Sequence, residues 1–142
     1  QPNTALEFTQ HQIELADRHY WDEKRRWRTE IKAGLELNLD NGASFFDYNR
    51  YQLSQQLRYT AESWMVRSSV RFNYYDYPVQ LAAASSSDER HLTTINWTVR
   101  GEKNLTKSLK WFAEFEHEQN LSNRAATGYH ANSVVTGVDW EL

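Results

Sequence analysis

The 142-residue chain has no cysteine, two prolines, five glycines and no long apolar run. The absence of cysteine excludes a disulfide framework, thiolate chemistry and any metal site built on cysteine. Because no stretch of about 18 consecutive apolar residues occurs, the sequence has no candidate for a transmembrane helix. A net charge of −3 without a basic cluster argues against nucleic acid as a partner.

Aromatic residues are the abundant class. Six Trp, eight Tyr and six Phe make up 14% of the chain. The mean hydropathy of −0.84 is too polar for a helical membrane protein. A membrane β-barrel, however, needs apolar residues only at alternate positions, so composition leaves that class open.

A period of two dominates the sequence. From Trp27 to Leu39 the odd positions are mostly apolar and the even positions polar, and the turn 40–42 follows. The same alternation recurs in 51–59, 64–74, 95–102, 109–116 and 129–142, and within 109–116 Phe112 is the one exception. Such alternation indicates strands with one apolar and one polar face. We therefore predict an all-β, antiparallel up-and-down barrel with about seven to eight strands in this chain.

The first 25 residues are ambiguous. Leu6 and Phe8 share one parity, whereas Ile13 and Leu15 have the other, which a β-bulge would explain. The segment 4–7 also fits a capping box, so a short helix is the alternative, with a strand favoured. We expect one barrel domain over 1–142, or the C-terminal portion of a larger barrel. Gln1 is compatible with a mature terminus or with a fragment start.

Strand length and loop length favour a membrane barrel. The predicted strands have about 11 to 14 residues, against about five to six in soluble sheets and about 9 to 11 in tilted transmembrane strands. Short connections at 60–63 and 104–107 alternate with long polar ones at 76–89 and 119–128. Outer-membrane barrels alternate short periplasmic turns with longer external loops in this way.

Both faces of the predicted strands carry informative residues. With the C-terminal end of the last strand at the periplasm, the periplasmic edge of the apolar face carries Trp27, Tyr59, Trp64, Trp111 and Trp140. Trp and Tyr gather at membrane interfaces. The predicted lumen-facing charges are Arg67, Arg71, Arg100, Glu102, Glu114 and Glu116, which would pair across a small lumen or set ion selectivity in a wide one. A soluble β-sandwich or lipocalin-like barrel remains the alternative, although five Trp side chains would crowd its interior.

The chain ends in the seven residues Thr136-Gly137-Val138-Asp139-Trp140-Glu141-Leu142. This stretch resembles the C-terminal assembly signal of bacterial outer-membrane β-barrels: polar, Gly, two variable positions, hydrophobic, variable, hydrophobic. The signal residues would be Thr136, Gly137, Trp140 and Leu142, with Leu142 standing where the family usually has Phe. The wider stretch 88–142 also resembles the end of large β-barrel porins, through the turn 104–107, the pair 122–123 and the closing strand.

The resemblance implies a location in the bacterial outer membrane of a Gram-negative cell. It implies outer-membrane lipid and the barrel-assembly machinery as partners, the latter pairing with the last strand by β-augmentation. Other chains or upstream strands would complete a barrel larger than this chain. The function expected is a porin-like channel or a structural membrane component. The alternative is a closed eight-stranded scaffold or binding barrel whose long loops engage a partner.

Catalysis finds little support in the sequence. None of the five His residues has a metal-binding spacing, and no cofactor, metal site or catalytic residue is predicted. His117 with Ser122 resembles the His/Ser pair of outer-membrane lipid A deacylases, but an offset of five puts the two side chains on opposite faces of one strand. The acidic run 114–118 is more typical of a solvated strand end than of a cation site. A membrane-embedded lipid hydrolase is therefore the least favoured reading.

Overall fold

The computed structural model describes residues 6–124 and 127–140. Within these ranges the chain is all-β, with seven antiparallel strands in up-and-down order in one sheet. The strands are β1 (Phe8–Tyr20), β2 (Trp27–Asp40), β3 (Tyr48–Thr60), β4 (Trp64–Leu81), β5 (Glu89–Asn104), β6 (Leu109–Ser122) and β7 (Tyr129–Trp140). No helix in the described ranges is suited to crossing a membrane.

Side-chain alternation divides the sheet into two faces. We call the side that carries Glu36, Arg67 and Arg100 the inner face, and the side that carries Val66 and Trp97 the outer face. Inner-face residues from β1 to β6 line one polar cavity of about 320 Å³, so the sheet curls around its inner face. The alternation in the sequence is therefore the pattern that separates these two faces.

Burial is inverted relative to a soluble domain. Ala82 is the one buried apolar residue in the described ranges, whereas the buried polar residues are Glu36, Asn38, Asn73 and Gln80. Large apolar side chains on the outer face are not covered by other residues, with Leu53 52% exposed and Trp97 43% exposed. The described sheet thus has no hydrophobic core on either face.

The two outermost strands have free edges. β1 pairs only with β2, and β7 pairs only with β6, so the described sheet is open. The predicted antiparallel up-and-down order and the seven segments are confirmed. Residues 6–25 hold one strand and the turn that follows it, so the described ranges contain seven strands and not eight.

β1 shows how the ambiguous N-terminal segment folds. It pairs with β2 residue by residue, from Phe8 opposite Asp40 to Tyr20 opposite Arg28, so the expected bulge is absent. The register with β2 places Phe8 on the inner face, and its ring packs edge-to-face on Phe46, at 6.2 Å between centroids. Of the capping-box segment, Thr4 and Ala5 lie outside the described residues, and Leu6 and Glu7 are not helical.

Two strands run beyond their predicted ends. β4 continues to Leu81 and β6 to Ser122, through residues expected to be loop. In β4 the pairing with β5 shifts between Tyr77 and Leu81, and Pro78 lies within that shift. A bulge tolerates proline because the missing N–H is not needed for the ladder there.

Candidate functional site

One edge of the outer face carries a cluster of aromatic rings. Trp27 lies directly opposite Tyr59, and their ring centroids are 4.6 Å apart. Tyr59 also contacts Trp64 across the next turn, at 4.9 Å between centroids. The sequence predicts these residues at one edge, and their rings do meet there.

The other two predicted aromatics follow the same edge in a stepped line. The residues paired in one row from Trp27 across the sheet are Tyr59, Val66, Gly101, Ala113 and Thr136. On their strands, Trp64 and Trp111 lie two residues beyond this row, towards the short turns, and Trp140 lies four residues beyond it. The steps run in one direction from β2 to β7. When strands are tilted, residues that lie at the same height are not directly paired, and their positions shift along each successive strand. Such steps are therefore expected for residues at one level of a tilted sheet, because strand tilt and register stagger are linked.

Trp21 belongs to this edge and was missed in the sequence. It follows β1 directly, its ring lies 4.6 Å from that of His19, and its Nε1 donates to Thr29 Oγ1 at 2.8 Å. Its odd parity, shared with Ile13 and Leu15, is the signal that would have placed it.

Aromatic rings also meet at the opposite edge of the outer face. Tyr51 and Tyr74 lie opposite each other with centroids 6.2 Å apart, and Tyr74 stacks on His91 at 5.7 Å. The hydroxyl of Tyr74 and Nδ1 of His91 are 2.9 Å apart in a hydrogen bond. Two aromatic edges thus bound the outer face at its turn end and its loop end.

Between these edges, the outward-facing residues of β2 to β7 include no Asp, Glu, Lys or Arg. We call this zone the apolar band. Two pairs of polar groups within it are hydrogen-bonded: Trp97 Nε1 donates to Ser68 Oγ at 3.2 Å, and His117 Nδ1 lies 2.7 Å from Asn132 Oδ1. On the edge strand β1 the outward-facing residues include a charged one, Asp17, which lies opposite Ile31. Lys103 and Asp76 also have outer-face positions, at the turn end and the loop end of the band.

On the inner face Arg100 collects three carboxylates. Its guanidinium donates to Glu102 at 2.7 Å and to Glu114 at 3.5 Å, and it lies 3.5 Å from Asp139 of β7. These contacts tie β5, β6 and β7 together from inside the curl. Arg100 is therefore fully matched in charge by its own neighbours.

The other predicted inner-face charges are arranged differently. Among the described residues, no carboxylate oxygen lies within 4.0 Å of Arg67 or Arg71. Glu116 accepts a hydrogen bond from Asn96 Nδ2 at 3.5 Å and has no arginine partner. Arg100 is thus paired with Glu102 and Glu114, whereas Arg67, Arg71 and Glu116 form no ion pair with any residue that the structure describes.

Three of the four residues of the predicted C-terminal signal, Thr136, Gly137 and Trp140, lie on strand β7. Gly137 lies opposite Phe112 on the inner face, and Thr136 Oγ1 donates to the Phe112 carbonyl at 2.9 Å. Trp140 is the last described residue and lies opposite Leu109. Leu142 and Glu141 lie outside the described residues.

At the loop end of the inner face a second aromatic group surrounds a buried carboxylate. Glu36 is 3% exposed, accepts a hydrogen bond from the Tyr48 hydroxyl at 2.7 Å and pairs with Arg50. Tyr75 and Tyr77 stack at 6.4 Å beside Tyr48. The sequence did not reveal this group, because these aromatics have the parity of the polar face.

The His/Ser pair considered for catalysis is not assembled. His117 is bound to Asn132 on the outer face, whereas Ser122 Oγ donates to the His91 carbonyl at 3.3 Å. Within the described part of the chain, no group of three or more His, Asp or Glu side chains is arranged to hold a metal ion.

Comparison of the chain with protein-family models, with curated proteins and with solved structures finds no match in any of the three. Inference about function therefore depends on the two faces of the sheet, on its open edges and on the contacts just described.

Proposed function

We propose that the strands of this chain form all or part of the wall of a bacterial outer-membrane β-barrel, which acts as a porin-like channel or as a structural membrane component. The observation that carries the proposal is the inverted burial: apolar side chains are exposed and polar ones buried. In water each square ångström of exposed apolar surface costs about 25 cal/mol, whereas in lipid that cost disappears. A bilayer is the solvent in which this distribution is stable.

The height of the apolar band supports the same proposal. On β4 the two aromatic edges are marked by Trp64 and Tyr74, which lie ten residues apart on one face. At about 3.3 Å per residue and a tilt of about 40°, this span is about 25 Å high. Outer-membrane barrels have an outward apolar band of about 25 Å flanked by aromatic girdles.

Two side-chain hydrogen bonds within the apolar band also fit a surface that faces lipid. The hydrocarbon region offers no water, so polar groups that face it need partners within the protein. Trp97 has Ser68, and His117 has Asn132. A surface facing water would have no such need.

The open edges favour a barrel completed by further strands. A lipid-exposed edge leaves backbone N–H and C=O groups unpaired at a cost of several kcal/mol each. We therefore propose that β1 and β7 pair with additional strands, from the same chain or from other chains. β7, with its assembly-signal residues, is the strand that the assembly machinery would engage by β-augmentation.

Reversing the polarity of single sites tests the membrane-facing assignment. Val70→Arg and Trp97→Arg put a charge into the middle of the apolar band, where these two residues lie opposite each other. The cost is about 2–4 kcal/mol near the midplane, so we expect lost assembly into outer membranes. Arg71→Leu, on the inner face of the same strand as Val70, is the matched control and should assemble. Equal assembly of all three variants would contradict the proposal.

Conductance separates the channel from the scaffold. The detergent-folded chain is added to a planar bilayer and single-channel current is recorded. Discrete steps support a water-filled lumen, which needs more than these seven strands and therefore self-assembly, since eight strands leave only a filled interior. A folded, membrane-inserted but silent protein would contradict the channel and support the structural role.

A further inference from the structure

Four arginines form a continuous row across the inner face. Arg28 on β2 is directly opposite Arg58 on β3, Arg58 is opposite Arg67 on β4, and Arg67 is opposite Arg100 on β5. We call these residues the arginine row. Neighbouring strands lie about 4.8 Å apart, so each arginine of the row stands next to the arginine on the following strand.

The middle of the arginine row has no counter-charge. Arg100 already has three carboxylate partners, and Arg28 donates to Gln56 at 3.0 Å. Among the described residues, no carboxylate lies within 4.0 Å of Arg58 or Arg67. The buried Nε atoms of Arg28 and Arg58 have no hydrogen-bond partner.

This arrangement costs stability unless an anion is present. Like charges directly opposite each other on neighbouring strands are destabilising. A buried N–H donor without a hydrogen-bond partner, such as the Nε of Arg58, destabilises the fold further. An anion between Arg58 and Arg67 would remove both costs at once, because each guanidinium presents a fork of donors.

We propose that the arginine row is a binding and selection site for small oxyanions, with phosphate as the representative ligand. The proposal rests on the proposed function, since it takes the inner face as the lumen. Planar guanidinium forks match the oxygen spacing of phosphate and carboxylate groups, which a diffuse positive field would not distinguish from chloride. The row lies immediately inside the Trp27 edge, so ions would meet it at the turn end of the lumen.

The acidic groups nearest to the unpaired arginines are bound to other cations. Glu30 is bound to Arg18 at 2.8 Å, and Glu102 is shared by Arg100 and Lys110. The polar cavity on the loop side of the row is lined by the hydroxyl groups of Ser69 and Thr98, and also by Glu116, which lies on β6, two strands away from Arg67. A bound oxyanion would therefore lie against the guanidinium groups and the Ser69 hydroxyl group, away from that carboxylate.

The test uses a pair of double variants with the same change in charge. R58Q/R67Q removes the two unpaired guanidinium groups, whereas R18Q/R26Q removes two that already have carboxylate partners. A third variant, R58K/R67K, keeps the charges and removes the forks. Chloride-to-potassium permeability is measured by reversal potential in planar bilayers, and inorganic phosphate binding is measured by calorimetry on the folded chain.

We expect an anion preference in the parent chain and in R18Q/R26Q, and its loss in R58Q/R67Q. Phosphate affinity should fall by about tenfold or more in R58Q/R67Q, because a charge-assisted hydrogen bond contributes about 1.5–3 kcal/mol. In R58K/R67K the anion preference should persist while phosphate affinity falls. This variant also gives a result if R58Q/R67Q does not fold.

The two proposals fail in different ways. A conducting but cation-selective chain that binds no phosphate would overturn the oxyanion site and leave the channel. A silent chain that binds phosphate, with weaker binding in R58Q/R67Q or R58K/R67K than in R18Q/R26Q, would overturn the channel and support the site. Equal phosphate binding in all variants, or binding in none, would overturn the site.

Discussion

The ring of Phe112 lies directly over Gly137 on the neighbouring strand. A Cβ atom added to Gly137 would come within 2.8 Å of the Phe112 Cζ atom, closer than a side chain tolerates. The Arg100 guanidinium lies 4.1 Å from the centroid of the same ring. Phe112 breaks the alternation of β6 because its ring fills the space that a glycine leaves on the inner face.

Gly137→Ala should destabilise the folded chain by about 1–3 kcal/mol, since overpacking forces a ring or a strand to shift. Gly101→Ala is the control, because a Cβ at Gly101 would meet no atom within 4 Å. Unfolding by urea in lipid vesicles measures both. Equal effects of the two substitutions would contradict a specific contact between Phe112 and Gly137.

A double-mutant cycle isolates that contact. Phe112→Ala removes the ring, so adding Gly137→Ala to it should cost clearly less than it costs in the parent chain. Residues in direct contact show coupling of about 0.5–3 kcal/mol. Additive effects would mean that Phe112 and Gly137 contribute independently of each other.

Arg100→Ala should cost about 2 kcal/mol or more, because it leaves Glu102, Glu114 and Asp139 without their shared donor. Arg71→Ala, also on the inner face, removes an arginine that has no carboxylate partner and should be close to neutral. Thermal unfolding of the two variants in detergent gives the comparison. A larger loss for Arg71→Ala would refute the role assigned to Arg100.

Adjacent serines on β4 distinguish the two faces. Ser68→Ala removes the acceptor of the Trp97 indole N–H in the apolar band and should cost about 1 kcal/mol in lipid. Ser69→Ala, which lines the polar cavity, should change stability little because water can replace the hydroxyl. The measurement is urea unfolding in vesicles, and a larger effect at Ser69 would reverse the assignment of faces.

Quenching by brominated lipids reports the depth of each tryptophan. In single-Trp variants, Trp97 should be quenched most by bromine deep in the acyl chain, and Trp64 or Trp111 most by bromine close to the headgroups. This order follows from the positions of the three rings along their strands and from the preference of Trp for the interface. Quenching that does not depend on bromine position would argue against insertion.

The β1–β2 turn should respond to acid. Asp22 accepts a hydrogen bond from the Trp27 backbone N–H at 2.9 Å and pairs with Arg26, and these contacts hold the pKa of Asp22 below its ordinary 3.8. A depressed pKa means that the stabilisation is present above the unfolded value and is lost as pH falls through the folded one. The Trp27 amide resonance should therefore shift with a midpoint below 3.8. A midpoint above that value would contradict the contact, and Asp22→Asn supplies the variant without titration.

Part of the fold was predictable because alternation depends only on which side chains share a face. The segments around Trp27, Trp64 and Trp111 were placed in strands of the right order, and their shared edge follows from counting along each strand. Strand ends were less predictable: β4 passes Pro78 because a bulge in its pairing with β5 tolerates the missing N–H, which sequence periodicity does not record.

By itself, the sequence determined the order of the strands, the polarity of their faces and the aromatic edge, because each of these depends on residues near one another along the chain, and it left the number of strands at seven or eight. Only the tertiary structure decided which side chains stand opposite each other. The arginine row, Gly137 beneath Phe112 and the carboxylates around Arg100 all depend on register across strands. Register is set by many backbone and side-chain contacts acting together, and a slip of one residue in any strand would move every side chain of that strand to the other face.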